Sequence, residues 1–287
     1  MKARIKRGIA AAAAVLSAAA GVSVATAGDS VADAAGLRAY GISADGTLMA
    51  TFTTDRPQVL DWVRVVTGLS GDTALIGIDF RVQNNTLYGV GNLGGVYTIT
   101  MPPVTVDVVV KKVSQLSVPL YGTNFGVDFN PAADRLRVIS DNGQNLRHNL
   151  NDGTTIEDAI LTTPPLTAPA RGVTAGAYTN NDLNPDTATT LFDLNTTTDQ
   201  VVIQAPANNG TLSPTGALGV DAGPNAGFDI FSDLVNGKTV SATAFATIVP
   251  PGGPATLASV NLLTGAATPV GQLPLAITDI ALALDAG

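Results

Sequence analysis

The chain has no cysteine, one histidine (His148), one tryptophan (Trp62) and one glutamate (Glu157). Each shortage narrows what the protein can be. Without cysteine no disulfide braces the fold, so the core has to hold it alone. A chain of this length buries enough surface to do so. With a single histidine, any Ser-His-Asp triad must use His148, and no G-x-S-x-G turn is present to offer the serine. A histidine-based zinc site is equally unsupported. Scarce glutamate and tryptophan argue against a sugar-cleaving cleft, which needs paired carboxylates and draws on aromatic platforms. Helix formers are also few beyond the N-terminus. Thr, Val, Asn, Asp, Gly and Pro dominate, a mixture that reads as short strands joined by tight turns. No later segment sustains the run of about eighteen apolar residues that a membrane-spanning helix needs.

What is present begins with an address. Lys2, Arg4, Lys6 and Arg7 precede an apolar, alanine-rich run from Ile9 to Val24, and Ala25-Thr26-Ala27 forms an A-x-A cleavage signal. Residues 1–27 therefore read as a secretory signal peptide. No twin-arginine pair occurs, which points to general secretion. Residues 28–36 read as a short tail before the folded part. Removing four of the 15 basic residues leaves 11 against 23 acidic ones, a net charge of −12. Such a surface disfavours nucleic acid and anionic lipid. The expected protein is secreted and monomeric, with an extracellular ligand or protein as its partner, no nucleic acid and no membrane span.

Five short segments recur at a nearly constant step: Gly77-Ile-Asp-Phe80, Gly126-Val-Asp-Phe129, Gly176-Ala-Tyr-Thr179, Gly227-Phe-Asp-Ile230 and Ile277-Thr-Asp-Ile280. Their first residues are 49, 50, 51 and 50 positions apart. A period in this range marks an architecture built from one repeated supersecondary unit. The second unit shows the pattern: strands are expected over 76–80, 86–91, 96–100 and 104–116, separated by Asn84-Asn85, Gly94-Gly95 and Pro102-Pro103. Four strands in about fifty residues make one propeller blade. After Leu273 one strand remains, Ile277–Leu284, while three precede the second unit: Leu37–Ser43, Thr47–Thr53 and Gln58–Thr67. One and three complete a fifth blade and close the ring without leaving an open edge. The expected fold is thus all-β, a five-bladed β-propeller over residues 37–284, closed by pairing the C-terminal strand with the N-terminal blade. A six-bladed ring with one degenerate blade and a two-sheet sandwich are the alternatives.

Longer stretches carry a resemblance. They are Ile76-Gly-Ile-Asp-Phe80 with Thr86-Leu-Tyr-Gly-Val-Gly91, and Asn124-Phe-Gly-Val-Asp-Phe-Asn-Pro131 running into Asp134-Arg-Leu-Arg-Val-Ile-Ser-Asp-Asn-Gly-Gln-Asn-Leu-Arg147. Ala177-Tyr-Thr-Asn-Asn181, Asn208-Asn-Gly-Thr-Leu212 and Gly216-Ala-Leu-Gly-Val-Asp221 complete the set. Together they resemble the bacterial family called domain of unknown function 4394, over nearly the whole chain beyond the signal. The resemblance implies an exported, propeller-like protein. The family has no assigned activity, so no residue role is carried over from it.

Three constellations could carry chemistry. The first is Asp79, Asp128, Asp229 and Asp279, which hold the same place in four units, with Tyr178 in the fifth. First strands line the channel of a propeller, so these side chains would form a ring. Like charges so placed need cations, protons or hydrogen bonds. Such a ring could hold Ca²⁺, which favours oxygen ligands, or each aspartate could accept a backbone N–H from the neighbouring blade. The second is Asp182, Asn184 and Asp186 with Asp193 at the twelfth place, the spacing of a calcium loop. It departs from that pattern at Thr187, where glycine belongs, and Asp-Asn-Pro runs also make ordinary turns. The third is Arg135 and Arg137, which share a strand face and could grip an anionic ligand or pair with Asp128 or Asp134. No arrangement here specifies catalysis. A ligand- or partner-binding module is the expectation, with an aspartate-dependent hydrolase of glycosides, esters or lactones at the channel mouth as the alternative.

Overall fold

The computed structural model describes residues 36–285. The reading of residues 1–27 as a signal peptide lies outside them, as does all but the last residue of the tail. The strands, in chain order, begin with β1 Arg38–Ser43, β2 Leu48–Thr53 and β3 Trp62–Thr67. Next come β4 Leu75–Arg81, β5 Thr86–Gly91, β6 Gly95–Thr100 and β7 Val108–Gln115. The third group is β8 Phe125–Asn130, β9 Arg135–Ser140, β10 Asn145–His148 and the short β11 Thr155–Glu157. The fourth is β12 Val173–Tyr178, β13 Leu191–Asn195, β14 Gln200–Gln204 and β15 Leu212–Ala217. Last are β16 Ala226–Val235, β17 Lys238–Ile248, β18 Thr256–Val260, β19 Ala267–Gln272 and β20 Ile277–Leu282. A single 3₁₀ turn, Ala207–Asn209, is the helical segment among the described residues. No helix among them is long and apolar enough to cross a membrane.

The arrangement is all-β and propeller-like. Hydrogen bonding yields four sheets rather than five: three have four strands, and one has eight in the order β20-β1-β2-β3-β7-β6-β5-β4. The eight-stranded sheet arises where two outer strands meet, because β3 and β7 pair in parallel through Val66↔Val108 and Thr67↔Val109. Thr67 Oγ1 also donates to the Val108 carbonyl at 3.1 Å, and Arg64 Nε to the Val106 carbonyl at 3.1 Å. The last strand returns to the first, with Ala39↔Leu282, Tyr40↔Ala281, Gly41↔Ile280 and Ile42↔Asp279 in antiparallel register.

The strands that open each unit pack against one another in a cycle: β4 on β8, β8 on β12, β12 on β16, β16 on β20 and β20 on β4. This closeness explains the repeated glycine. A Cβ at Gly126 would sit 2.7 Å from the Gly176 nitrogen, and one at Gly227 would sit 2.6 Å from the Asp279 Cα. No side chain fits there without moving backbone.

Apolar side chains fill the space between sheets. Tyr88, Val90, Leu116, Val127 and Phe129 form one buried cluster between β4–β7 and β8–β11. Phe192, Leu194, Phe228, Ile230 and Ile248 belong to another, between β12–β15 and β16–β19. The cluster between β8–β11 and β12–β15 is smaller, with Ile139, Leu161, Val173, Val202 and Leu212. One hairpin is longer than the others. β16 and β17 run on to Val235↔Lys238, closed by Asn236 and Gly237 at φ 54° and 70°. Both residues tolerate the left-handed conformation that a two-residue hairpin loop demands.

Candidate functional site

The repeated aspartates lie on the inner strands, where the sheets crowd together. All four are buried. Each accepts a backbone N–H from a neighbouring inner strand. Asp79 Oδ2 accepts from Phe129 at 2.7 Å, Asp128 Oδ1 from Tyr178 at 3.2 Å, Asp279 Oδ2 from Ile78 at 2.7 Å and Asp229 Oδ2 from Leu282 at 2.5 Å. Tyr178 occupies the fifth place and cannot extend the chain of carboxylates. There Asn181 bridges instead, its N–H donating to Ser232 Oγ at 3.0 Å and its Nδ2 to the Ile230 carbonyl at 3.3 Å.

Burial disfavours the charged form of these carboxyls. It raises Asp79 and Asp128 well above the usual carboxylate range, and the neighbouring aspartates push the same way. Asp279 is likewise raised well above that range, first by burial. Asp229 is raised by burial to about 6, with the N–H bonds from Leu282 and Ile230 opposing. The ring therefore holds its protons to higher pH than exposed aspartates would. Oxygens of Asp79, Asp128 and Asp229 come within 4.8 Å of one another, close enough to share one cation.

The calcium-loop residues do not converge in this way. Asp182 Oδ1 accepts the Asn184 N–H at 3.0 Å, and its Oδ2 takes the Thr239 N–H at 2.8 Å and the Thr239 hydroxyl at 2.7 Å. It thus fastens the β12–β13 connection to β17. Burial pushes the Asp182 carboxyl up, but the Thr239 bonds outweigh it and leave the group below its ordinary value. Asn184 Oδ1 accepts from the Asp186 N–H at 2.9 Å, an ordinary turn contact. Asp193 points away into the sheet interior, fully buried, and neither of its oxygens has a hydrogen-bond partner. Burial raises it well above the carboxylate range, with Arg137 pulling the other way.

The arginines also differ from expectation. Arg137 pairs with neither Asp128 nor Asp134. Its guanidinium is buried and holds Asp158 at 2.7 Å, Asn145 Oδ1 at 2.7 Å, Asn208 Oδ1 at 2.8 Å and the Tyr178 hydroxyl at 3.2 Å. Arg137 faces Asp128 across the β8–β9 ladder, yet its guanidinium is taken up by these other partners. Arg147 closes on the same Asp158, at 2.6 and 2.9 Å. Arg135 turns back onto the Ala133 and Asp134 carbonyls at 3.0 and 2.7 Å, and Asp134 takes Arg81 at 2.5 Å. Neither arginine on β9 presents an open fork to a ligand. His148 is buried between Ser114 Oγ at 2.8 Å and Thr155 Oγ1 at 3.0 Å, joining β7 to β10 and β11.

Two hollows lie at opposite ends of β12. The larger, of about 520 Å³, opens where the inner strands begin and is walled by Asn124, Asp141, Asn142, Arg171, Asp221 and Gly223, among others. The smaller, of about 310 Å³, lies at the other end of β12, beside Tyr178, Gln204 and Asn208. Arg171, Asp141 and Asp221 escape a reading that looks for repeated or clustered motifs. Their signal was positional: loops that precede the inner strands of successive units must meet at one mouth.

Residues 48–281 match the family described as domain of unknown function DUF4394. No curated protein matches the chain in sequence. Among solved structures it is similar to a protein of unknown function from Bacteroides thetaiotaomicron, with 14% identity and TM-score 0.49 over 88% of this chain and 68% of that one. It is similar to a chain of a nidogen/laminin complex, with 11% identity and TM-score 0.46 over 85% and 84%. It is also similar to the glutaminyl cyclase of Myxococcus xanthus, with 12% identity and TM-score 0.43 over 74% and 90%. The family match runs from β2 to within one residue of the end of β20, and the protein belongs to the DUF4394 family.

Proposed function

We propose that this is a secreted, non-catalytic, five-bladed propeller that binds a ligand or partner at the mouth where its inner strands begin. The eight-stranded sheet counts as two blades, since only two residue pairs join β3 to β7. Five apolar clusters separate the blades, which fits five rather than four. The non-catalytic reading rests on one observation. The ring aspartates are buried and committed to backbone N–H groups of the next strand. A hydrolytic acid and base must instead reach a substrate.

The test is a turnover screen of the exported protein against glycosides, esters, lactones and peptides. The expected result is none. Reproducible turnover, lost in Asp79→Asn or Asp128→Asn with folding intact, would replace this reading with the hydrolase at the channel mouth. The blade count has its own test, truncation after Pro274. Losing β20 removes several buried Ile and Leu side chains worth about 1.5–3 kcal/mol each, close to the whole stability of a domain. A truncated chain that melts cooperatively at the full-length midpoint would sink the closure.

A second reading has its own observation, the convergence of Asp79, Asp128 and Asp229 oxygens. A divalent cation such as Ca²⁺ would displace protons from the ring, so it would bind more tightly as pH rises. Calcium should then raise the melting temperature at pH 8 more than at pH 5, and more than magnesium at equal ionic strength. Identical curves with calcium, magnesium and chelator would leave the ring to its protons and N–H bonds.

A further inference from the structure

We propose that the larger mouth hollow recognises a small zwitterion, a free amino acid or short peptide that offers its carboxylate to Arg171 and its ammonium to Asp221. This rests on the binding reading above and names its ligand class. At about 520 Å³ the hollow falls within the range of small-molecule sites. Charges of both signs stand on its walls: Arg171 on one side, Asp141 and Asp221 among the rest. Arg171 and Asp221 are exposed. Arg171 makes no ion pair among the described residues, and its contact there is the side-chain oxygen of Asn142. A guanidinium has five N–H donors, so most of the fork stays available for a carboxylate, its best-matched partner. Asp221 gives one oxygen to the Gly223 N–H at 2.9 Å and keeps further acceptor capacity. Asp141 is already taken by Thr123 and Asn124, at 3.0 to 3.2 Å.

The walls are built to stay in place. The Gly172 N–H donates to the Asp141 carbonyl at 2.9 Å, while its own carbonyl accepts from Thr196 at 2.7 Å, so the residue after Arg171 is clamped between two sheets. A Cβ at Gly172 would lie 2.0 Å from Thr197 Oγ1, and one at Gly223 would lie 2.0 Å from the Val249 carbonyl. Both glycines sit at positive φ, 76° and 74°. Turns packed this tightly reorganise little on binding. A simple anion would be held by Arg171 but repelled by two aspartates, and a simple cation would meet the reverse. A ligand carrying both charges satisfies each wall.

The experiment is calorimetric titration of the exported protein with the free amino acids and with Ala-Ala and Gly-Asp. For each binder, the N-acetyl form and the carboxamide form are compared. At least one zwitterion should bind. Blocking either charge should weaken it by about tenfold or more, the worth of one charge-assisted hydrogen bond. Arg171→Gln should erase the preference over the carboxamide, and Asp221→Asn the preference over the N-acetyl form. Both side chains are exposed on loops, and unchanged melting temperatures would show the variants folded. No zwitterion binding up to about 10 mM, a level that reveals even millimolar sites, would overturn the assignment. So would equal binding of blocked forms, or binding untouched by both substitutions. In those cases a different ligand that protects the protein from melting would leave the wider binding reading standing.

Discussion

Two neighbouring seams are built from the same repeat and hold together in different ways. Between β4–β7 and β8–β11, the residue facing ring aspartate Asp79 across its ladder is Tyr88, whose ring meets Phe129 edge-on at 5.3 Å. Between β8–β11 and β12–β15, the residue facing Asp128 is Arg137. The aspartates do one job in both seams, accepting an N–H from the next inner strand. Their cross-strand neighbour decides everything outward of it. An aromatic there continues an apolar cluster. An arginine there recruits Asp158, Asn145, Asn208 and Tyr178, and leaves only a small apolar cluster behind. The first seam is stabilised by area removed from water, which any well-shaped apolar side chain supplies. The second depends on directional bonds, which fail when one partner is missing.

The largest test sets the seams against each other. Arg137→Ala should cost about 3–5 kcal/mol in urea denaturation, since it breaks a buried ion pair and takes the donor from Asn208 and Tyr178, although Asp158 keeps Arg147. Phe129→Ala should cost about as much, 3–5 kcal/mol roughly, by leaving a cavity. The conservative changes should part company: Phe129→Leu should cost less than about 1.5 kcal/mol. Arg137→Lys should keep most of the alanine penalty, because an ammonium cannot span four partners. Equal tolerance of both conservative changes would dissolve the distinction.

A second experiment probes the flaw in the polar seam. Asp193 is fully buried and unpartnered, so Asp193→Leu should stabilise the protein by about 1–3 kcal/mol. Because burial raises the Asp193 carboxyl in the folded state, the native protein loses stability there as pH rises. The gain on substitution should therefore be larger at pH 8 than at pH 5. A destabilised variant at both pH values would mean that Asp193 has a partner in solution.

The ring itself is common to both seams and should make stability depend on pH. Its aspartates have raised values in the folded state, Asp229 reaching about 6 from 3.8. The folded protein then binds more protons than the unfolded chain. That stabilisation is fully present below about pH 4 and is lost as pH rises through the folded values. The melting temperature should fall from pH 5 to pH 8, and Asp229→Asn should flatten the part of the curve between about 4 and 6. A flat native curve would show the ring fully ionised, as it would be around a cation.

The smallest effect is expected at the outer rim of the apolar seam, where the Ser114 hydroxyl and His148 Nε2 meet at 2.8 Å. Ser114→Ala should cost about 1 kcal/mol, the net worth of one hydrogen bond. A loss as large as that of Arg137→Ala would make His148 a second polar hub.

Much of the fold was legible because turns punctuate it. β5 matches its expected limits, Thr86–Gly91, bounded by Asn84-Asn85 and Gly94-Gly95 at tight turns. The return of the last strand to the first was also legible, since counting strands between repeats leaves one at the end and three at the start. The β16–β17 hairpin reaches further than an average strand pair because Asn236-Gly237 supplies a two-residue loop at its tip. The ring aspartates were found as a repeat, and of the two roles weighed for them, acceptance of N–H bonds is the one the geometry displays.

The sequence by itself determined the period, the strand class, the glycine and the aspartate that each recur in four of the five inner strands, and the strong negative charge, because these follow from local spacing and composition. Only the tertiary structure decided which charges meet. Arg137 reaches Asp158, 21 residues away, and Asn208, 71 residues away, instead of the aspartate directly across its ladder. Arg171 and Asp221 come to one hollow from different units. β3 and β7 join two sets of strands into one sheet. Side chains that meet across a seam are separated by whole repeats, and the twist and spacing of packed sheets, which no local pattern encodes, select their partners.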